Sequence, residues 1–171
     1  MYNVLTHAVI SAGASVVKYS ESYKTGAHIC MFGLCWEYSR SPDVILQRDN
    51  TPGNCWALRG SRGYVVVKLS RVIHPLAVTL DHIAKEDSQT EEISSAPKNF
   101  AIYVSNLLTF LVGTEGAFLG EFVYDQEGFP VQTFKLEVCV GVETGRIVLS
   151  NWGHQNYTCI YGLRVHGDPA L

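Results

Sequence analysis

Apolar residues along this chain fall in short runs, either continuous or alternating with polar residues, and turn-forming pieces separate them. Such runs predict strands rather than helices. They are "DVILQ" (43–47), "YVVVKL" (64–69), "LAVTLDHI" (76–83), "NFAIYVS" (99–105), "AFLGEFVY" (117–124), "VQTFKLEV" (131–138), "GRIVLS" (145–150) and "YTCIYGLRV" (157–165). Between them lie "NTPGN" (50–54), "RGSRG" (59–63), "GTEG" (113–116), "DQEGFP" (125–130) and "VETG" (142–145), all of turn composition. Eight short strands with little helix predict an all-β fold, an antiparallel β-sandwich. The opening "MYNVLTHAVISAG" predicts one short N-terminal helix, over 1–12. No polar residue interrupts 65–67, so "VVVKL" predicts a central strand buried on both faces. In "VQTFKLEV", Val131, Thr133, Lys135 and Glu137 share one face, with Gln132, Phe134, Leu136 and Val138 opposite, so one face meets solvent. The polar "AKEDSQTEEISSAP" (84–97) is the longest loop.

Composition adds bounds. A chain of 171 residues, 47% hydrophobic and 17% charged, is a folded single domain over 1–171. At this length folding buries roughly 70% of the unfolded chain's surface. A net charge of −3 with no long basic run gives little attraction to nucleic acid or anionic lipid. The apolar "LLTFLVG" (107–113) is far short of the ~20 residues that cross a bilayer, and reads as a strand or buried loop. The first residues lack the basic and apolar regions of a signal peptide, and the abrupt start reads as the tail of something longer. Cysteines stand at 30, 35, 55, 139 and 159 without a CxxC spacing, a poor basis for zinc.

The chemistry concentrates in "NWGHQNYTCIYGLRVHG" (151–167). As a strand from Tyr157, it sets Tyr157, Cys159, Tyr161, Leu163 and Val165 on one face, with Thr158, Ile160, Arg164 and His166 opposite. Two readings follow: core tyrosines beside a buried cysteine, or a pocket edge presenting two hydroxyls. Cys55 with His82 or His154 forms no recognisable catalytic arrangement, and His154 and His166 read as structural. "NTPGNCWALRG" (50–60) is a tight loop, either an ordinary turn or a set of inward carbonyls that holds a cation. "NYT" (156–158) is a glycosylation sequon, relevant if the chain enters the secretory lumen, and a glycan on Asn156 would obstruct the pocket edge.

Several long motifs occur in order: "GASVV…SESY" (13–23), "SPDVILQ" (41–47), "PGNCWALRGSRGYVVVKLS" (52–70), "HPLAVTLDHI" (74–83), "ISSAPKNFAIY" (93–103), "LGEFVYDQEGFPVQTF" (119–134) and "SNWGHQNYTCIYGLRVHG" (150–167). Through them the chain resembles the SUN domain over nearly its whole length. The resemblance implies a non-enzymatic β-sandwich module of discoidin- or galactose-binding-like architecture. It implies a homotrimer, assisted by an upstream coiled coil, that faces the perinuclear space from the inner nuclear membrane. Its partners would be the C-terminal peptides of KASH (nesprin-type) proteins, and the bridge so formed, the LINC complex, couples nucleus to cytoskeleton. Membrane attachment would come only through an upstream segment absent from this sequence. A carbohydrate- or lipid-binding sandwich is the alternative, with Trp36 and Trp152 to stack on sugars.

Carried over by position, the resemblance places the pocket for the peptide carboxylate at Ser95, Tyr157 and Tyr161, with His82 nearby. It pairs Cys55 with Cys159 in a disulfide. It places a structural monovalent cation, potassium, at Val44, Gln47, Asp49, Asn54 and Tyr161, largely through carbonyl oxygens. It makes about 22–38 a protruding β-hairpin lid that accepts the peptide as an added strand. Tyr157 and Tyr161 stand roughly 13 Å apart along a straight strand, so their hydroxyls must lean together or the chain must bend. The chain departs from the family at four places. Tyr19 stands where some members have a cysteine that bonds to the KASH peptide. The lid is one residue shorter and carries Cys30 and Cys35, which either pair or leave a thiol. Gly162 replaces a common arginine, and 104–113 is more apolar than usual.

Overall fold

Strand β5, Arg62–Asp81, organises the molecule. The structure, a computed structural model, describes residues 13–105, 116–137 and 141–170. The helix expected over 1–12, the "LLTFLVG" run, Val138 and Cys139 lie outside the described residues. The remaining strands are β1 (Ser15–Tyr19), β2 (His28–Met31), β3 (Leu34–Glu37), β4 (Trp56–Arg59), β6 (Pro97–Ser105), β7 (Ala117–Val123), β8 (Val131–Lys135), β9 (Val142–Asn151), β10 (Tyr157–Ile160) and β11 (Gly162–Pro169). The fold is all-β and antiparallel.

The two runs 64–69 and 76–83 belong to one long strand. The N-terminal half of β5 pairs with β1 and β9, and the order continues through β6 to β7 at the edge. The C-terminal half pairs with β8 and β11. Between Lys68 and Ile73 its pairing with β9 shifts register. The two halves contribute to a shared core, where Val67, Ile102 and Ile147 meet Val78, Leu136 and Leu163. A strand that contributes to both layers at a bend is how sandwiches turn corners. Val65, Val66 and Val67 are all buried, as the unbroken apolar run predicts for a central strand. In β8 the predicted alternation holds: Val131, Thr133, Lys135 and Glu137 are exposed, while Phe134 and Leu136 face the core.

Two predicted elements differ. "DVILQ" is not a strand but a 3-10 helix, Pro42–Leu46. Ser41 caps it by accepting from the Asp43 N–H, Pro42 sits in its first turn, and Val44, Ile45 and Leu46 are buried. "VETG" is not a turn but the start of β9, because Val142 pairs with Ile73 and Thr144 with Lys68. Trp56, Ile45, Leu58, Phe100, Leu80 and Leu163 are each almost fully buried, at about 1.5–3 kcal/mol per large apolar side chain.

Residues 28–37 form the predicted hairpin, a two-stranded ribbon of its own. Its turn is Phe32–Gly33, both at positive φ (53° and 78°), which matches the right-handed twist of the flanking strands. Cys30 lies opposite Cys35 and the two form a disulfide, so the sequence's open alternative closes in favour of pairing. One ribbon face carries Ile29, Met31, Leu34 and Trp36, and the other carries His28, the disulfide and Glu37. The Tyr38 N–H donates to Ala27 O at 2.8 Å and closes the base.

Candidate functional site

The C-terminal run bends where the tyrosine spacing demands it. Strand β10 pairs with β4, from Tyr157 opposite Arg59 to Ile160 opposite Trp56. The chain then leaves that small sheet at Tyr161 and continues as β11 against β5. Tyr161 therefore sits at a switch between sheets, and a single period-two face does not run from Tyr157 to Val165. Tyr157 and Tyr161 line one cleft of about 470 Å³ together with Ser95 and His82. All four residues expected at the carboxylate site thus share one cavity.

Backbone bonds and one crosslink hold this cleft. The Cys159 N–H donates to Ser95 O at 2.8 Å, and the His154 N–H donates to Ser94 O at 3.3 Å. The 93–96 turn is thereby stitched to β10, with Ser95 opposite the residue midway between the two tyrosines. Cys55 and Cys159 form a disulfide with Cα atoms 5.7 Å apart, which ties the 50–54 loop to the same strand. Tyr161 Oη accepts from the Gly53 N–H at 3.0 Å, and its ring stands edge-on to His82 at 4.9 Å. The Tyr157 ring packs on Tyr23 at 5.0 Å and on His154 at 4.0 Å.

These contacts define what the cleft can bind. Burial raises the Tyr161 phenol above its ordinary pKa, so it keeps its proton. Its oxygen accepts from Gly53, and its O–H remains free to donate. The Ser95 and Tyr157 hydroxyls bond to no other described residue. Three residues with neutral O–H donors therefore line one cleft, with no acceptor for those donors among the described residues.

His82 plays a different part. Its Nδ1 lies 3.2 Å from Ile83 O, and a carbonyl can only accept, so Nδ1 carries the proton. Burial lowers its pKa to about 4, the Ile83 bond opposing that shift, and the ring is neutral at pH 7. Nε2 is then an acceptor, buried and without a partner among the described residues. It suits an N–H or a water rather than a carboxylate oxygen.

Arg40 is the site residue that sequence reasoning missed. It lines the cleft, and Nη1 donates to Asn54 Oδ1 at 2.6 Å. An exposed arginine in a loop carries no periodic or motif signal. Tyr23, Thr25 and Tyr38, at the base of the lid, also line the cleft and connect it to the hairpin.

The residues expected to hold a cation gather around the loop that follows the 3-10 helix. Gln47 N–H donates to Val44 O at 3.0 Å, and Asn54 Nδ2 donates to Asp49 O at 3.3 Å. Asp49's carboxylate accepts from the Thr51 hydroxyl and N–H, bonds that hold its pKa below the usual value. Tyr161 reaches this loop through Gly53. Each carbonyl that accepts one of these bonds keeps a second lone pair.

Two of the departures, Gly162 and Tyr19, have structural accounts, and residues 106–113 lie outside the described residues. A Cβ at Gly162 would stand 2.7 Å from Asp81 Oδ2, and Asp81 is buried and paired with Arg164 at 2.6 Å. A side chain at 162 has no room beside that ion pair. Tyr19 packs edge-on to Trp56 at 5.9 Å. Trp152 is not an open platform for sugar: Lys98 lies over its ring at 4.6 Å and its Nε1 donates to Tyr124 O. Trp36 is half exposed on the lid.

Comparison with known proteins follows the same lines. The family 32 carbohydrate-binding module of Streptococcus pneumoniae EndoD superposes with a TM-score of 0.68 at 14% identity, covering 96% of this chain and 100% of that one. Allantoicase of Saccharomyces cerevisiae gives 0.64 at 13% identity, over 96% and 43%. At such identities these likenesses define the class alone, a β-sandwich of the discoidin and family 32 module architecture. The family model described as Sad1 / UNC-like C-terminal matches residues 35–169. SUN domain-containing protein 2 of Mus musculus is 47% identical, over 98% of this chain and 23% of its own length. SUN domain-containing protein 3 of Bos taurus is 47% identical, over 95% and 46%. The chain belongs to the Sad1/UNC-like C-terminal family, the SUN domains, and spans less than half the length of these curated relatives.

Proposed function

We propose that this domain is a non-enzymatic tether that captures the C-terminal peptide of a KASH protein in the perinuclear space of the nuclear envelope. The observation that supports the reading is that Ser95, Tyr157 and Tyr161 line one cleft together with Tyr23, Thr25 and Tyr38 at the lid base. A carboxylate accepts up to about four hydrogen bonds, and neutral directional donors match it without the cost of burying a second charge. Arg40 at the rim adds a cation that attracts the peptide's terminal charge. The lid offers its ribbon edge to the preceding residues of the peptide as an added strand.

Each peptide would lie between two protomers of a homotrimer, and three linked peptides would gain avidity. A coiled coil and membrane anchor in the longer protein would hold the trimer at the inner nuclear membrane and let it carry cytoskeletal force. The cation is part of the proposal: potassium held by oxygens of Val44, Gln47, Asp49, Asn54 and Tyr161 would brace the loop that supports Tyr161. Titration of a synthetic KASH C-terminal peptide, with light scattering on the same samples, tests the reading. Saturable binding at three peptides per trimer is expected; no binding to either monomer or trimer contradicts it. A glycan array is the control for the sugar-binding alternative, which the covered ring of Trp152 disfavours.

A further inference from the structure

The sequon at 156–158 acquires a structural meaning that its letters lack. Asn156 is exposed in the bend before β10, where its carbonyl accepts from the Gly60 N–H at 2.8 Å. Nearby His154 and the adjacent Tyr157 line the cleft, but Asn156 does not. Asn156 itself is thus exposed beside the cavity rather than part of its lining. Thr158, the residue that completes the sequon, is in the opposite situation. It is 0% exposed, its hydroxyl donates to Gly60 O at 2.9 Å, and it accepts from Asn151 Nδ2 at 3.0 Å. The next residue, Cys159, is locked to Cys55.

We propose that Asn156 is an N-glycosylation site that is modified only before β10 docks, in competition with closure of the Cys55–Cys159 disulfide. This rests on the lumenal reading above, with which the two disulfides agree, since such bonds persist in oxidising compartments. The transferase must read the hydroxyl of Thr158, and the folded domain hides it. In the step itself, the Asn156 amide nitrogen bonds to the anomeric carbon of a lipid-linked oligosaccharide. The carbon–oxygen bond to the lipid pyrophosphate breaks, the pyrophosphate leaves with the electron pair, and the amide gives up one proton. No redox change occurs. Once β10 pairs with β4 and Cys159 is crosslinked, a bare Asn156 stays bare, so two forms of the domain coexist. Both have an open cleft.

The test expresses the full-length protein in cultured cells as wild type, Asn156→Gln and Cys55→Ser. Glycosidase-sensitive mass is measured on each, and the 55–159 linkage is measured by non-reducing peptide mass spectrometry on the wild type. The expected result is partial occupancy of position 156 in the wild type, loss of that glycosidase-sensitive increment in Asn156→Gln, and a larger increment in Cys55→Ser, which docks β10 late. A linked Cys55–Cys159 with Asn156 bare in every variant overturns the site while leaving the lumenal reading intact. Free thiols together with a bare Asn156 remove both. Full occupancy in the wild type, or equal partial occupancy in wild type and Cys55→Ser, contradicts the competition. Peptide affinity of the wild type before and after glycosidase is expected to match, and a marked gain on treatment contradicts the placement outside the cleft.

Discussion

Ser95 isolates the binding chemistry from the fold, because no other described residue uses its hydroxyl. Ser95→Ala should leave the melting curve unchanged and weaken peptide binding about tenfold or more, since a hydrogen bond to a charged group contributes about 1.5–3 kcal/mol. Tyr161→Phe should lose affinity and stability together. It strips the acceptor from the Gly53 N–H, a bond that contributes about 0.5–1.5 kcal/mol, and because Gly53 is exposed water replaces part of it. His82 gives the pH dependence. Its folded pKa of about 4 lies below the ordinary histidine value of 6.5, so its neutral form stabilises the fold above pH 6.5. That contribution falls as pH drops towards 4, and its full size is about 3 kcal/mol. Melting temperatures from pH 7 to 4 should decline more steeply in the wild type than in His82→Phe, and parallel declines would contradict the assignment. The two tyrosines were legible in the sequence because a dense aromatic run is conspicuous. Arg40 was not, because its meaning comes from a loop that folds back beside residues 53–54.

At the scale of elements, the strands were legible wherever a run was long enough to show its period. "DVILQ" was misread because a run of three apolar residues fits a strand or a helical turn equally well, and the Ser41–Pro42 start signal decided it. "VETG" was misread because turn-type composition yields when Val142 and Thr144 can be buried against a partner strand. The fusion of two runs into β5 was hidden by Pro75, which normally ends strands. Here it lies opposite Gly167 at a register shift, where a missing N–H is tolerated. The lid pairing of Cys30 with Cys35 could not be read from spacing, but the register places them directly opposite. An isolated two-stranded hairpin is marginal in water, so this crosslink orders the lid. The double variant Cys30→Ser, Cys35→Ser should weaken peptide binding while the main melting transition stays in place. A shift of that transition would mean that the lid is part of the core.

For the whole molecule, the bond between Cys55 and Cys159 closes a loop with a sequence separation of 104 residues. Cys55→Ser should lower unfolding free energy by about 2–5 kcal/mol in denaturant titration, and an unchanged midpoint would show that β4 and β10 need no crosslink. The same bond fixes the 50–54 loop, the 93–96 turn and the sheet switch at Tyr161 into one unit, so the cleft is preformed rather than assembled by its ligand. A preformed set of hydroxyl donors should discriminate sharply at the last atom of the peptide. The most direct measurement compares two peptides of one KASH C-terminal sequence, one ending in a free carboxylate and the other amidated, by calorimetry at neutral pH. The free acid should bind and the amide should bind at least about tenfold more weakly, the loss of one or more charge-assisted bonds. Equal affinities would contradict carboxylate capture by Ser95, Tyr157 and Tyr161.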